Sequence, residues 1–222
     1  MFGLSLERLL YIVPAIVVAL TFHEYAHART AYAFGDTTAR DAGRLTFNPL
    51  KHLDPVGTLL LIIAGFGWAK PVPINPFLFG DNRKRKLMAV SAAGPLMNVV
   101  EALAGAALLA LIVKNAGVGS ALIYYFIGFL SYFVMINAVL AVFNLLPIPP
   151  LDGSKILAGL LPARQLNIVL TLERYGFIIL LALVFIPDIL SMFGLPRIDI
   201  LGTLIGVPAT WLVNVIYGAV GL

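Results

Sequence analysis

The residues with the most distinctive chemistry form the run His23-Glu24-Tyr25-Ala26-His27. On an α-helix, His23 and His27 lie four positions apart on one face, so both imidazoles can bind one metal ion. Glu24 is rotated by about 100° from His23. It can therefore stand beside the metal without binding it and accept a proton from a water molecule there. A polar contact between two helices is the alternative interpretation of these side chains.

The composition indicates that this run lies in a membrane protein. Of the 222 residues, 60% are hydrophobic and 12% are charged, whereas a soluble domain has about 25% charged residues. One soluble core cannot hide so much apolar surface. We therefore expect the lipid bilayer as a partner and no nucleic acid. The chain has no cysteine, so a transition-metal site must use His, Asp and Glu.

Long apolar runs predict an all-α polytopic membrane protein with about five transmembrane helices. These runs cover about residues 9–34, 87–113, 122–146, 166–186 and 200–220. Gly206 and Pro208 are expected to break the last run, which then lies partly in the membrane interface. Nine of the fifteen Lys and Arg fall between Arg29 and Lys86. By the positive-inside rule, the N-terminus is outside and His27 lies toward the cytoplasm.

The region between the first two long runs has a different character. Val56–Phe66 is apolar but has eleven residues, and a helix of that length spans about 16 Å, less than the hydrocarbon core of about 30 Å. We expect a re-entrant or interfacial element there. Gly65–Pro76 contains three prolines, which exclude a helix. It predicts a membrane-associated extended loop, edge strand or β-hairpin that borders a water-filled cavity.

A third metal ligand is expected because catalytic zinc usually has three protein ligands and a water molecule. Asp152 follows the run that ends at Leu146, on the same predicted side of the membrane as His27. Asp152 is therefore the predicted third ligand. The alternative is an N-cap of the helix predicted over Ser154–Leu160, since Asp is favoured at that position.

Together these motifs resemble the site-2 protease family of intramembrane zinc metalloproteases, in its short members without PDZ or CBS domains. Beside the His23–His27 run, the chain carries Asn144…Pro147…Leu151-Asp152-Gly153, which is similar to the family pattern N-x-x-P-x-x-x-L-D-G. Ala93–Asn98 is similar to its A-G-P-x-x-N segment, and Trp68–Pro76 to its membrane-associated loop or hairpin. The resemblance covers roughly residues 10–160.

The resemblance implies a role for each matching residue. His23, His27 and Asp152 would bind one zinc ion per chain, and Glu24 would be the general base. Asn144 would hold the substrate carbonyl or its oxyanion, as a neutral amide donor can. An interhelical hydrogen bond is the alternative for Asn144. For Asn98, substrate positioning and an interhelical bond are both open.

The resemblance also implies the substrate, the domain and the membrane. The expected function is cleavage of single-pass membrane proteins or signal-peptide remnants within the bilayer. Residues 1–222 would form one integral-membrane peptidase domain, with a catalytic core over about 9–162 and C-terminal helices over about 163–222. We expect a prokaryotic cytoplasmic membrane, with the active site toward the cytoplasm. The sequence does not reveal the oligomeric state.

The sequence also leaves two other function classes open and predicts roles for several further polar residues. A transporter or channel for protons or divalent metal would use intramembrane His, Glu and Asp, and a proteolytically silent binding module would not need Glu24. His52 is expected in a surface loop or as an accessory metal group, and Asp54 as a turn or helix cap. Glu101 faces the cavity, is protonated or pairs with Arg174, and Glu173 and Arg174 are expected to form an ion pair.

Overall fold

The computed structural model describes residues 6–58, 67–115, 120–194, 196 and 199–222. Within these ranges the regular secondary structure is helical, which confirms the predicted all-α class. The α-helices are α1 (Leu6–Ala33), α2 (Thr38–Asp41), α3 (Arg83–Asn115), α4 (Ala121–Leu145), α5 (Asp152–Leu160), α6 (Leu166–Met192) and α7 (Ile200–Val220).

Five of the described helices, α1, α3, α4, α6 and α7, are long and apolar enough to span a membrane. This confirms the predicted number of spans and the integral-membrane character. The expected break in the last run is wrong, because α7 continues through Gly206 and Pro208. Proline is tolerated in membrane-spanning helices because nearby polar groups and small local adjustments of the helix satisfy the freed backbone carbonyl. The basic run that begins at Arg83 forms the first turn of α3.

Helices α1, α3 and α4 pack against one another and form the centre of the bundle. Small side chains allow the helices to approach closely. A cluster of buried residues joins α3 and α4 to α7: Ala102, Ala106, Val134, Ala138, Ala209, Val213 and Ile216. Helix α6 is the least buried of the five spans: 17% of its most apolar stretch is buried, against 39% for α3.

The connection between α1 and α3 folds back over the C-terminal half of α1. Asp54 accepts a hydrogen bond from the backbone N–H of Gly57 and caps a helical turn over residues 55–58, which agrees with its expected role. Most of the predicted re-entrant element, residues 59–66, lies outside the described residues. Residues 67–75, here called the cover segment, are extended and form one isolated antiparallel bridge, between Leu53 and Ala69. The described residues contain no regular β-hairpin.

Polar anchors at two points hold the cover segment in place. Near its start, the N–H of Lys70 donates to the carbonyl of His52 at 2.8 Å. Near its end, the N–H of Asn75 donates to the buried carboxylate of Asp36 at 2.7 Å. Between these anchors, Val72 packs on Ala28 of α1. The cover segment therefore has a defined position over the face of α1 that carries the His-Glu-x-x-His run.

Candidate metal centre and active site

One cavity brings together all five residues that the sequence singles out for chemistry. It has a volume of about 420 Å³, and its walls come from α1, α4, α5, α6 and the cover segment. The predicted site residues that line it are His23, Glu24, His27, Asn144 and Asp152. Residues that are far apart in the sequence thus meet at one place, as the pairing of the two motifs predicts.

Three ligand atoms form a compact triangle at this cavity. Nε2 of His27 lies 3.0 Å from Nε2 of His23 and 3.1 Å from Oδ2 of Asp152. Nε2 of His23 lies 3.3 Å from the same Asp152 oxygen. Zinc–ligand bonds of about 2.0–2.2 Å at tetrahedral angles place neighbouring ligand atoms about 3.3–3.6 Å apart. The triangle therefore fits a zinc ion with three protein ligands and a fourth position for water or substrate.

The other ring nitrogens of both histidines are held by hydrogen bonds within the bundle. Nδ1 of His27 lies 2.7 Å from the carbonyl oxygen of Val90 on α3. Since a carbonyl only accepts, Nδ1 must carry the hydrogen, which leaves the Nε2 lone pair of His27 free for the metal. Nδ1 of His23 lies 2.7 Å from Oδ1 of Asn98, the arrangement that also frees its Nε2. Both imidazoles are therefore oriented for ligation.

Gly94 leaves room for the two imidazoles against α3. A Cβ atom at this position would lie 2.5 Å from Cε1 of His23 and 2.6 Å from its Nε2, and closer still to Nε2 of His27. Any side chain at Gly94 would therefore occupy the place of the rings. The A-G-P-x-x-N segment thus supplies an empty position and, one turn later, the amide of Asn98.

The start of α5 delivers Asp152 to the two histidines. Leu151 is the N-cap of α5, and no side chain caps the helix, so the N-cap alternative for Asp152 is wrong. Gly153 allows this approach, because a Cβ there would collide with the carbonyl oxygen of Leu145 at the end of α4. Asp152 is 8% exposed, so its carboxylate meets the two imidazoles away from bulk water.

Glu24 lies in the cavity wall and is bonded to the cover segment. Its Oε2 accepts a hydrogen bond of 3.0 Å from the backbone N–H of Val72. Val72 stands between Pro71 and Pro73, which have no N–H, so this N–H is the single backbone donor of the three residues. Glu24 is outside the ligand triangle, as expected for a base rather than a ligand.

Arg44 is a buried residue near Glu24, whereas the charge pattern of the sequence indicated only a role in membrane topology. It is 5% exposed, and its Nη2 donates to the carbonyl oxygen of Lys70 in the cover segment. Burial lowers the pKa of the Arg44 guanidinium, and the negative charge of Glu24 offsets part of that effect. Arg44 therefore places a positive charge behind the cover segment on the side of Glu24.

Asn144 lines the cavity from the end of α4. Its Nδ2 donates to the carbonyl oxygen of Leu140 on the same helix at 3.0 Å, so this bond is not the interhelical one that was the alternative. One N–H of the amide remains for a ligand. Asn98, in contrast, does not line the cavity; it bonds to His23 and to Asn137 of α4, which favours the interhelical alternative over substrate contact.

Several weaker expectations are corrected by the structure. His52 is fully buried, and its Nε2 donates to the carbonyl oxygen of Thr46 at 2.8 Å, so the surface-loop expectation is wrong. The described His, Asp and Glu residues form one potential metal-binding group, His23, His27 and Asp152, without His52. Both oxygens of the buried Glu101 carboxylate have no hydrogen-bond partner, so it does not pair with Arg174. Glu173 and Arg174 form no ion pair among the described residues.

Comparison with known proteins identifies the family. The model of peptidase family M50 matches residues 110–186. The chain is 45% identical over 180 residues to "Putative zinc metalloprotease YwhC" of Bacillus subtilis, covering 80% of this chain and 81% of the relative. The chain belongs to peptidase family M50. As an M50 member it is a zinc-dependent peptide hydrolase, which confirms the predicted enzyme class and cofactor, and it is a site-2 protease by family.

A second relative is also named as a putative zinc metalloprotease. "Putative zinc metalloprotease Rip2" of Mycolicibacterium smegmatis is 33% identical over 185 residues, which cover 82% of this chain and 69% of the relative. No solved structure matches this M50 chain. Site-2 proteases act on membrane-protein substrates, which agrees with the five spans described above.

Proposed function

We propose that this M50 protease cleaves membrane-spanning segments of single-pass proteins, or signal-peptide remnants, within the bilayer or near its inner edge. The observation that carries the proposal is the cavity that holds the His23–His27–Asp152 triangle beside Glu24. Its walls include α1, α4 and α6, which are long and apolar enough to span a membrane. Substrate reaching this cavity from the lipid would meet the catalytic groups at membrane depth.

His23, His27 and Asp152 are the proposed zinc ligands, and Glu24 is the proposed general base. Zinc bound there would polarise the scissile carbonyl and lower the pKa of water toward about 7. Glu24 accepts the proton of the attacking water and passes it to the leaving amine. Because Val72 donates to Oε2 of Glu24, one oxygen of this carboxylate is held in place and the other is left for proton transfer. The free N–H of Asn144 stabilises the developing oxyanion.

The cover segment is the proposed receptor for the unwound substrate, by strand addition. In an extended chain, neighbouring residues point their N–H and C=O groups to opposite edges. Lys70 and Val72 direct theirs to His52, Arg44 and Glu24, so Ala69 and Pro71 direct theirs to the other edge. That edge offers two carbonyl oxygens and, from these two residues, one N–H. Substrate would therefore bind it chiefly through its own N–H groups.

Localisation in the prokaryotic cytoplasmic membrane, with the site toward the cytoplasm, is part of the proposal. It is supported by the concentration of basic residues between Arg29 and Lys86, on the side of α1 where His27 lies. The transporter alternative is not carried further, because the predicted metal ligands and base cluster at one depth instead of forming a path along the bundle.

The test uses purified protein in detergent micelles and a single-pass peptide whose helix is weakened by glycine or proline. We compare the wild type with Glu24→Gln, and use Glu173→Gln, an exposed acid on α6, as the matched control. Zinc content and the cleavage site are measured together by mass spectrometry. We expect one zinc ion in all three proteins, and a rate about 10²- to 10⁴-fold lower in Glu24→Gln alone, the usual contribution of a general base.

Each result decides a separate part of the proposal. Cleavage by Glu24→Gln at the wild-type rate would exclude Glu24 as the base. Wild-type protein without zinc would exclude the ligand assignment. Cleavage confined to the soluble flanks of the peptide would exclude proteolysis inside the membrane-spanning segment.

A further inference from the structure

We propose that Asn137 of α4 is a positioning residue that acts through Asn98 and fixes His23 in the ring tautomer able to bind zinc. Asn137 is two hydrogen bonds away from His23, through Asn98, and belongs to none of the sequence motifs named above. The inference deepens the proposed function, because it rests on His23 as a zinc ligand.

A continuous chain of hydrogen bonds leads from α4 to the metal site. Nδ2 of Asn137 donates to the carbonyl oxygen of Phe133, one turn earlier on α4, at 3.0 Å. Oδ1 of Asn137 accepts from Nδ2 of Asn98 at 2.8 Å, and Oδ1 of Asn98 lies 2.7 Å from Nδ1 of His23. Both asparagines are completely buried, so water does not compete for these bonds.

The direction of this chain is set at its far end, by the carbonyl of Phe133. A carbonyl oxygen only accepts, so the group of Asn137 that faces it must be the NH₂. Oδ1 of Asn137 is then left for Asn98, whose NH₂ must point toward it. Oδ1 of Asn98 therefore faces His23 and accepts a hydrogen from Nδ1. His23 is left with a free lone pair on Nε2, the atom that lies in the ligand triangle.

Reversal of the Asn98 amide would prevent ligation. Its NH₂ would then face Nδ1 of His23, which would have to accept, and the ring hydrogen would move to Nε2. An Nε2 atom that carries a hydrogen cannot bind a metal ion. An amide presents nearly the same shape in both orientations, so Asn98 alone does not choose between them. Asn137 supplies an acceptor for the NH₂ group of Asn98 and thereby favours one orientation.

His27 provides the contrast within the same site. Its Nδ1 bonds directly to the carbonyl oxygen of Val90, so its tautomer needs no relay. Both ligands are thus oriented by a backbone carbonyl, one directly and one through two amides. Loss of Asn137 should consequently affect His23 and leave His27 unchanged.

The test compares Asn137→Leu with Asn137→Asp. Leu removes the acceptor for Asn98, whereas Asp keeps it: an ionised carboxylate accepts from Asn98, and a neutral one also donates to Phe133. If Asn137 only fills space, a buried acid should be the worse substitution. The relay predicts the reverse order. Ser131→Ala is the matched control, since it deletes a side-chain bond to the carbonyl oxygen of Ile127 elsewhere on α4.

Two measurements on the purified full chain in micelles read the result. The zinc dissociation constant is measured by competition with a chelator, and the tautomer of each histidine in metal-free protein by ¹⁵N NMR, which is tractable because the chain has three histidines. We expect Asn137→Leu to bind zinc about 10- to 100-fold more weakly, as for other groups that orient a metal ligand. Its His23 should lose the pure Nδ1–H form. Asn137→Asp and Ser131→Ala should resemble the wild type in both measurements.

Two outcomes would overturn the relay. One is an Asn137→Leu protein with unchanged zinc affinity and an unchanged His23 tautomer. The other is an Asn137→Asp protein as impaired as Asn137→Leu. If wild-type protein binds no zinc, the ligand assignment fails, and the tautomer measurement still decides whether Asn137 controls His23.

Discussion

Replacement of Gly94 by alanine tests the packing that allows the metal site to form. The new Cβ would lie 2.5 Å from Cε1 of His23, where ordinary van der Waals contact begins at 3.4 Å. The His23 ring must therefore retreat by about 0.9 Å, and the His27 ring, which is closer still, by at least as much. Metal–ligand distances tolerate changes of about 0.2 Å, so the triangle cannot keep its geometry.

The rings have little freedom to make this adjustment. His27 is bonded to Val90, four residues before Gly94, and His23 to Asn98, four residues after it. Both bonds tie the rings to the same helix that would push them away. We therefore expect zinc binding to weaken at least about 100-fold, the order of loss when a functional group is misplaced by about 1 Å. Alanine normally stabilises a helix relative to glycine by about 0.5–1 kcal/mol, so the loss would not come from helix propensity.

The assay for Gly94→Ala is a chelator competition for zinc together with thermal unfolding in micelles. Gly206→Ala on α7 is the control without a contact, since a Cβ there meets no atom within 4 Å. Gly128→Ala is the control for crowding alone, because its Cβ would lie 3.1 Å from Cζ of Tyr11, away from the metal ligands. We expect Gly206→Ala to behave as the wild type and Gly128→Ala to keep its zinc affinity. Gly94→Ala with wild-type zinc affinity would refute the argument that this glycine makes room for the ligands.

Two further predictions concern the cover segment. Arg44→Met removes the cation beside Glu24 and Lys70, so kcat/KM should fall about 10- to 100-fold, the effect of a charged hydrogen bond worth about 1.5–3 kcal/mol, while the zinc content stays at one ion per chain. The control is Arg40→Met, which removes an exposed ion pair with Asp41. Equal kinetics of the two variants would refute the role of Arg44. If Ala69 and Pro71 pair with substrate through their carbonyl oxygens, N-methylation of single peptide N–H groups near the scissile bond should raise KM at alternate substrate positions. An effect that does not alternate would contradict strand addition, and Ala69→Pro should likewise raise KM without loss of zinc.

The metal ligands could be predicted from the sequence. His23 and His27 share a face because helical geometry alone puts positions four apart together, and the structure places their Nε2 atoms 3.0 Å apart. Asp152, 125 residues beyond His27, was predicted from charge placement and catalytic zinc geometry. The five spans were predictable because their length and apolar composition leave little alternative to crossing a membrane.

The supporting residues were not predictable in the same way. Asn137 was not singled out from the sequence, because a polar residue in an apolar run indicates an interhelical hydrogen bond without indicating its partner. Arg44 was interpreted as a charge that sets topology, and its contact with Lys70 depends on how the connection folds back over α1. His52 was expected at the surface, because a short polar segment does not reveal that another segment will cover it.

The sequence by itself determined the membrane setting, the number of spans and the chemical groups of the metal site, because these depend on composition and on spacing along one helix. Only the tertiary structure decided how those groups are held. The bonds from His23 to Asn98 and from Asn98 to Asn137 join residues 75 and 39 positions apart, and the room at Gly94 exists only where α1 packs on α3. Such contacts depend on the packing of helices in three dimensions, which spacing along one chain does not specify.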